Sequence, residues 1–337
     1  MRAIKSLAAA LLCCSFFSAT IYSVHVTPEG GYEGGWSEQD KFNAQIARAN
    51  DNKLHFSIPE EWKGKGKYQT RLLHEDYEKV HGEPYVARNQ GKAPSCVGQA
   101  VASAVDFLAS AEIVGGDRER APPAPASASV IYGLSRQEIG DLGPDVGGGS
   151  MNIWAVQAIQ RYGVVASLNY PLLGHDLRQP SSKRAIQYGR EGVPDGLEVV
   201  ARLHPVKDYY SVNSYEDVRD AIYMGCPVVI GSNQGFGNGH LTRDREGFLN
   251  PPRRLFFPSI WRHAMVCIGV CDSGREGVLI LNSWGTEWVD GPHRFNGTPE
   301  GAFFVDASII DRMVRQEDSY AIQGFKGYRE YRIWNRK

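Results

Sequence analysis

The stretch NQGKAPSCVGQAVASAVDF, from Asn89 to Phe107, places a single cysteine at the start of an apolar run. Apolar residues after Cys96 recur at helical spacing and predict a helix from about Cys96 to Ile113. The dipole and the unpaired N–H groups of a helix's first turn stabilise a thiolate. Cys96 is therefore either an activated nucleophile or a small core residue, and its partners elsewhere in the chain decide which.

The chain has 337 residues, of which 42% are hydrophobic and 22% charged, so it can bury a large core. Its formal net charge of −1 gives no electrostatic reason to expect nucleic acid or an anionic membrane as the main partner.

The N-terminus has a basic start, MRAIK, followed by an uncharged run from Ser6 to Val24. This pattern predicts a signal peptide over residues 1–23, with a retained membrane anchor as the alternative. The chain would then be secreted or periplasmic, and it would have no stable membrane partner unless residues 6–24 stay attached. Residues 24–79 are polar and Gly-rich and predict an N-terminal arm or a short pro-segment.

Helical patterns dominate the first half of the remaining chain and short apolar runs the second. Helices are predicted near 127–139 and 151–163, and the run NSYEDVRDAIYMG predicts another that Ser214 and Asp217 cap. HAMVCIGVCD, GVLILNS and GAFFVDAS predict an antiparallel sheet. The fold class is therefore α+β. A helical lobe (about 90–200) and a sheet lobe (about 201–337) would leave a cleft between them.

The other cysteines after the N-terminal segment give no clear bridge or metal site. Cys267 and Cys271 lie four apart on a predicted strand, where they share a face but are too distant for an easy disulfide. No second Cys/His cluster has ligand spacing, so no metal is expected. These two cysteines are predicted to be buried apolar residues, while the role of Cys226 stays open.

A histidine and an asparagine stand where they could serve the cysteine. His263 opens one predicted strand and Asn282 ends the next, so on antiparallel neighbours the two side chains would lie side by side. The Asn282 oxygen could accept from one imidazole nitrogen and aim the other at the Cys96 thiolate.

The order Gln90, Ser95-Cys96, His263 and NSWG from Asn282 to Gly285 resembles the papain-like cysteine peptidases. The stretch GGGSMNIWAVQAIQRYGVVASLNYPL is similar to that family's substrate-binding glycines, the helix behind them and the Tyr-Pro that follows. The resemblance extends from about Val86 to Asp306. It implies a two-lobe papain-like domain over residues 80–337.

The resemblance also implies catalytic roles and a reaction. Cys96 would be the nucleophile and His263 its ion-pair partner and general acid, oriented by Asn282. Gln90 and the Cys96 N–H would form the oxyanion hole, and Trp284 would shield the His–Asn hydrogen bond. The implied activity is endopeptidase hydrolysis through a thioester acyl-enzyme.

Further residues are implied in substrate binding. Gly148 and Gly149 would pair with the substrate backbone, and Met151 and Ala264 would line an apolar specificity pocket. The partner is a peptide or protein substrate, and no cofactor is implied.

The sequence departs from the family pattern at several points. Val97 stands where an aromatic residue usually follows the nucleophile, and Ala93 replaces a cysteine that usually forms a disulfide. Arg262 precedes the histidine, where a cation disfavours the imidazolium. An insertion is expected near residues 235–260.

Two other functions remain open. A papain-fold protein could bind peptides or a partner without turnover, but such a binder has no need of the cysteine, histidine, asparagine and oxyanion glutamine together. A transglutaminase-like acyl transferase would want Asp in place of Asn282 and lacks the support of NSWG.

Overall fold

The computed structural model describes residues 57–117, 119–122, 124–144, 147–232, 235–236, 241–250, 263–316 and 318–328, and two short strands near the N-terminus. The predicted signal peptide, Arg262 and most of the predicted insertion near residues 235–260 lie outside the described residues.

Helices form mainly in the first two thirds of the described chain. They are α1 (Leu73–His81), α2 (Cys96–Val114), α3 (Ala128–Leu134), α4 (Asn152–Arg161), α5 (Ser182–Glu191), α6 (Asp195–Ala201), α7 (Tyr215–Tyr223) and α8 (Ala307–Val314). A π-helical turn, Ser135–Ile139, follows α3. The predicted cap of α7 is present, since the Ser214 side chain accepts the Asp217 N–H at 3.1 Å.

Strands dominate the later part. They are β1 (His25–Val26), β2 (Tyr32–Glu33), β3 (Thr70–Leu72), β4 (Asn169–Tyr170), β5 (His175–Asp176), β6 (Val206–Ser211), β7 (Val228–Ser232), β8 (Leu241–Arg243), β9 (Leu249–Asn250), β10 (His263–Cys271), β11 (Gly277–Leu281), β12 (Val289–Asp290), β13 (Ala302–Asp306) and β14 (Tyr320–Phe325).

One antiparallel sheet organises the second lobe, in the order β13-β11-β10-β7-β14-β6. Its central strand β10 is buried along its whole length. One edge of β10 pairs with β11, and the other pairs first with β7 and then, from Gly269 to Cys271, with β3. The α+β prediction is confirmed, and the described strands form an open sheet rather than a closed barrel.

Helix α2 is the core of the molecule. Its 19 residues span about 28 Å. It is the one described helix long and apolar enough to cross a membrane, but 78% of its most apolar window is buried, as in a core helix. Gly98 permits close packing, because a Cβ there would lie 2.6 Å from the Ala128 oxygen and 2.7 Å from Tyr132 Cβ. This contact joins α2 to α3.

A buried ion pair fixes α2 to the loop that carries Gln90. The Asp106 carboxylate accepts from Arg88 at 2.6 Å, from the Tyr85 hydroxyl at 2.9 Å and from the Ala126 N–H at 2.8 Å. The Asp106 and Arg88 side chains are 5% and 15% exposed. Each buried charge is therefore stabilised by the opposite charge of the other.

Asp106→Ala should therefore reduce the free energy of unfolding by about 3–5 kcal/mol, because it leaves the Arg88 guanidinium buried without its carboxylate. The control is Ser110→Ala, which removes one buried hydrogen bond to the Asp106 carbonyl and should cost about 1 kcal/mol. Urea unfolding of both variants measures the difference; equal losses would contradict the account.

The two lobes are also joined at the start of α4. The Asp318 carboxylate accepts the N–H groups of Asn152 and Ile153 at 3.0 Å each, and the Asn152 amide donates to the Asp318 carbonyl at 2.9 Å. Because Asp318 leads into β14, the sheet lobe caps a helix of the helical lobe. Met151, directly before α4, is held in place by this contact.

A buried histidine on α1 makes stability depend on pH. His74 is 1% exposed, and burial lowers its pKa to about 4. The unfolded imidazole takes up its proton near pH 6.5, before the folded one does, so stability present above that pH is lost as the pH falls towards 4.

Between pH 7 and pH 4.5 the His74 contribution should fall by about 2–3 kcal/mol. His74→Phe should lose that much less stability than the wild type over the same interval, whereas His175→Phe, at a partly exposed position, should follow the wild type. Urea unfolding at both pH values is the measurement, and parallel losses in all three proteins would contradict this role.

Candidate active site

Cys96 is the first residue of α2 and is fully buried. Burial raises the pKa of its thiol, and the backbone N–H groups of Ala264 and Val97, which lie within hydrogen-bonding reach of the sulfur, act in the opposite direction. Ala264 follows His263 at the start of β10. The fold therefore brings the helix that begins at Cys96 against the strand that begins at His263.

His263 and Asn282 are joined by a hydrogen bond of 2.7 Å between Nε2 and Oδ1. The Ser283 N–H donates to the same Oδ1 at 2.7 Å, which identifies that atom as the oxygen. Nε2 must then carry the proton that it donates, and Nδ1 is the ring nitrogen left for proton exchange. Asn282 follows β11, the strand paired with β10, so the sheet register produces this contact.

The Trp284 ring lies beside this pair. Its centroid is 4.5 Å from that of the His263 ring, with 32° between the planes, and Trp288 packs edge-on against it at 4.9 Å. An aromatic face at this position excludes water from the His–Asn hydrogen bond, which strengthens it.

Burial controls the protonation of the pair. It raises the pKa of the Cys96 thiol to about 12, although the nearby N–H groups act in the opposite direction. It lowers the pKa of His263 to about 4, and the hydrogen bond with Asn282 offsets part of that effect. Both side chains are 0% exposed. With these pKa values the thiol and the imidazole are both neutral near pH 7.

Gln90 is tied to the segment that carries Asn282. Its N–H donates to the Ser283 carbonyl at 2.9 Å, and its side-chain Oε1 accepts from the Ser283 hydroxyl at 2.9 Å. Its Nε2 donates to the Ala93 carbonyl at 3.0 Å. These contacts fix the orientation of the Gln90 amide, whose nitrogen faces the loop that precedes Cys96.

The glycine stretch packs against the loop before the nucleophile. A Cβ on Gly148 would lie 2.0 Å from Pro94 Cγ, so only glycine allows this approach. Gly149 donates its N–H to the Tyr132 hydroxyl at 2.9 Å, and its carbonyl accepts from Arg136. Both backbone groups of Gly149 are thus engaged inside the helical lobe, and these contacts hold the two loops together where Ala93 cannot form a disulfide.

Met151 and Ala264 are both fully buried. Ala264 lies beside the Cys96 thiol, and Met151 precedes α4 from the other lobe. Val97 is also fully buried in the core, which agrees with a packing role for this residue. The four described cysteines, Cys96, Cys226, Cys267 and Cys271, are buried, and no disulfide joins any two of them. Burial of Cys267 and Cys271 agrees with their prediction as apolar core residues.

Two cavities lie near the ends of the region around α2. One of about 830 Å³ surrounds the C-terminal end of α2 and is lined by none of the candidate catalytic residues. A smaller one of about 170 Å³, rich in serine, borders Gln90. Among the described residues, no three His, Cys, Asp or Glu side chains form a group that could hold a metal ion.

Sequence reasoning missed three residues that support the site. Ser283 holds Gln90, while Tyr132 and Arg136 hold Gly149. Ser283 is adjacent to Asn282 and could have been found from that position. Tyr132 and Arg136 act across the helical lobe, and no local pattern marks them.

Comparison with known proteins supports the architecture. No protein-family model and no curated protein matches the sequence. Among solved structures, xylellain, a cysteine protease from Xylella fastidiosa, is similar with a TM-score of 0.54 and 20% identity, covering 80% of this chain and 91% of xylellain. ProCathepsin B S9 from Trypanosoma congolense is similar with a TM-score of 0.53 and 12% identity, covering 87% of this chain and 86% of that protein. The chain therefore has the papain-like fold, as its resemblance to that family implied.

Proposed function

We propose that this chain is an exported cysteine endopeptidase that hydrolyses peptide bonds of peptide or protein substrates. The observation that carries the proposal is the contact of Cys96, at the start of α2, with the strand that holds His263 in its 2.7 Å hydrogen bond to Asn282. A small core cysteine would need neither the histidine nor its asparagine.

The first half of the reaction uses the charged form of the Cys96–His263 pair. The Cys96 thiolate attacks the substrate carbonyl carbon, and the C–O π electrons move onto oxygen. The Cys96 N–H and the second Nε2 proton of Gln90 stabilise that oxyanion. The intermediate collapses, the C–N bond breaks, and His263 Nδ1 gives its proton to the leaving amine. A thioester of Cys96 remains.

The second half regenerates the enzyme. His263, now neutral, takes a proton from water as the oxygen attacks the thioester carbon. Collapse of the second intermediate releases the carboxylic acid product and the Cys96 thiolate, and His263 is again an imidazolium. Asn282 holds the ring throughout, and Trp284 keeps water from their hydrogen bond.

Substrate preference is proposed to follow from Met151 and Ala264, which would offer an apolar pocket to the residue second from the scissile bond. Gly148 would pair with the substrate backbone. Gly149 could donate its N–H to the substrate only by giving up its hydrogen bond to the Tyr132 hydroxyl. Cleavage of a peptide library, read by mass spectrometry, tests both activity and preference. Cuts inside the peptides are expected, with an apolar residue second from the scissile bond. A profile dominated by charged residues at this second position would contradict the pocket.

A second candidate function is a papain-fold protein that binds a peptide or partner without turnover. Complete burial of Cys96 and His263 favours it, because a pair held neutral cannot attack a substrate. The peptide library separates the two functions, since a binder would retain peptides and return them uncut.

Export is proposed from the sequence alone, from the uncharged run after the basic start. Expression of the full chain in a bacterial host, with fractionation and mass analysis, tests it. Protein in the periplasm or medium that lacks residues 1–23 is expected, and intact protein in the membrane fraction would favour the anchor.

A further inference from the structure

Residues 57–81 form an arm that is built into the sheet lobe. Strand β3 runs antiparallel to the end of β10, with Leu72 opposite Gly269 and Thr70 opposite Cys271. The contact continues beyond the strand, where the Asp272 N–H donates to the Gln69 carbonyl at 2.9 Å. The arm therefore completes the edge of β10 that β7 leaves open.

Strand β10 is shaped to receive this arm. A Cβ on Gly269 would lie 2.8 Å from Leu72 Cδ2 and 3.1 Å from Leu279 Cβ. Gly269 thus leaves a space in the middle of a buried strand, and Leu72, 3% exposed, occupies it. Removal of the arm would open an apolar cavity in the core.

The turn before β3 satisfies two buried carboxylates. The N–H groups of Gly64 and Gly66 donate to Asp220 at 2.6 and 3.0 Å, and the Tyr68 N–H donates to Asp272 at 2.6 Å. Asp220 and Asp272 are 2% and 3% exposed. Without the arm both carboxylates would lose these backbone donors and keep only side-chain donors, Arg219 on Asp220 and Tyr215 on Asp272. Each hydrogen bond lost to a buried charged group is costly.

Beyond β3 the arm packs against the middle of α2 and the loop before it. On α1, Tyr77 packs against Phe107 of α2 at 5.8 Å and edge-on against Tyr85 at 4.9 Å between ring centroids. Tyr85 bonds to Asp106, the carboxylate that fixes the Gln90 loop. The arm is therefore joined to the nucleophile helix as well as to the sheet.

We infer that residues 57–81 remain part of the active peptidase, and that N-terminal trimming ends ahead of Ser57. This inference rests on the proposed function, because it states which part of the chain the working enzyme retains. It places the start of the folded domain upstream of residue 80, where the sequence pattern had put it. The segment up to residue 79 cannot be a removable pro-segment as a whole.

Two engineered cuts test this in the Cys96→Ala protein, which cannot trim itself. A recognition site for a sequence-specific protease is inserted between Gly82 and Glu83 in one protein and directly ahead of Ser57 in the other. Gly82 suits the insertion because it ends α1 in a left-handed conformation with no atom within 4 Å of a Cβ.

After the cut at Gly82, the Ser57–Gly82 segment should elute with the remainder in native size-exclusion chromatography and separate from it only in denaturant. The remainder refolded alone should unfold at least about 10 °C lower, or not refold. After the cut ahead of Ser57, the unfolding temperature should fall by less than it does when the Ser57–Gly82 segment is removed.

Two outcomes would overturn the inference. One is spontaneous loss of the segment with no change in the unfolding temperature of the remainder. The other is an equal fall in unfolding temperature after both cuts, which would show that residues 57–81 add nothing to the stability of the folded domain. The same cuts with Cys96 present separate this inference from the proposed function. Retention of the segment in a protein that never cleaves peptide would contradict the peptidase and leave standing that residues 57–81 belong to the folded domain.

Discussion

Replacing Cys96 with alanine should lower kcat for peptide cleavage about 10⁶-fold, because the nucleophile and its base act as a unit. Folding should survive, since the substitution removes one buried sulfur and costs about 1 kcal/mol. The measurement is initial-rate kinetics together with urea unfolding.

Cys267→Ala is the matched control, because Cys267 is also fully buried and lies on β10, the strand that carries His263. It should change stability by a similar amount and leave kcat within about threefold. Equal activities of the two variants would remove Cys96 from the reaction.

Gln90→Ala should lower kcat about 10²- to 10³-fold with a smaller effect on KM, because the amide donates to an oxyanion that exists only in the transition state. Ser283→Ala should give an intermediate loss of about 2- to 10-fold, since it frees the Gln90 amide to rotate but leaves the donor present.

Gln99→Ala is the control for this pair. Gln99 lies on α2, one turn beyond Cys96, and its amide bonds to the Ser95 hydroxyl at 3.5 Å. Its replacement should leave kcat unchanged within about twofold. A Gln90→Ala enzyme as active as Gln99→Ala would contradict the oxyanion role.

Local sequence patterns predicted much of the fold, and they predicted which helix or strand carries each of the main candidate site residues. The helical spacing after Cys96 predicted a helix to about Ile113, and the helix in the structure runs from Cys96 to Val114. His263 and Asn282 were expected side by side because they lie at matching ends of adjacent antiparallel strands, and the register of β10 and β11 produces that contact.

Contacts between distant residues were not predictable. Strand β3 has only three residues, and its partner lies about 200 positions later at the end of β10. Strands β6 and β14 also pair across a long separation and show no clean alternation, since β6 has the intermediate burial of an edge strand. A single sequence without aligned relatives gives no signal for such pairs.

The electrostatic state of the site was another feature that sequence could not supply. The start of a helix predicts a lowered thiol pKa. Complete burial of Cys96 reverses this and raises its pKa to about 12. Desolvation therefore outweighs the effect of the helix terminus on the pKa of this thiol.

The central claim is tested most directly by labelling with a peptide epoxide, which traps an activated thiolate, followed by mass mapping of the modified cysteine. The full chain and the chain trimmed ahead of Ser57 are both treated across pH 4 to 8. The account predicts one label per chain, on Cys96, and none in His263→Ala. No label in either form, or a label shared among Cys226, Cys267 and Cys271, would contradict it.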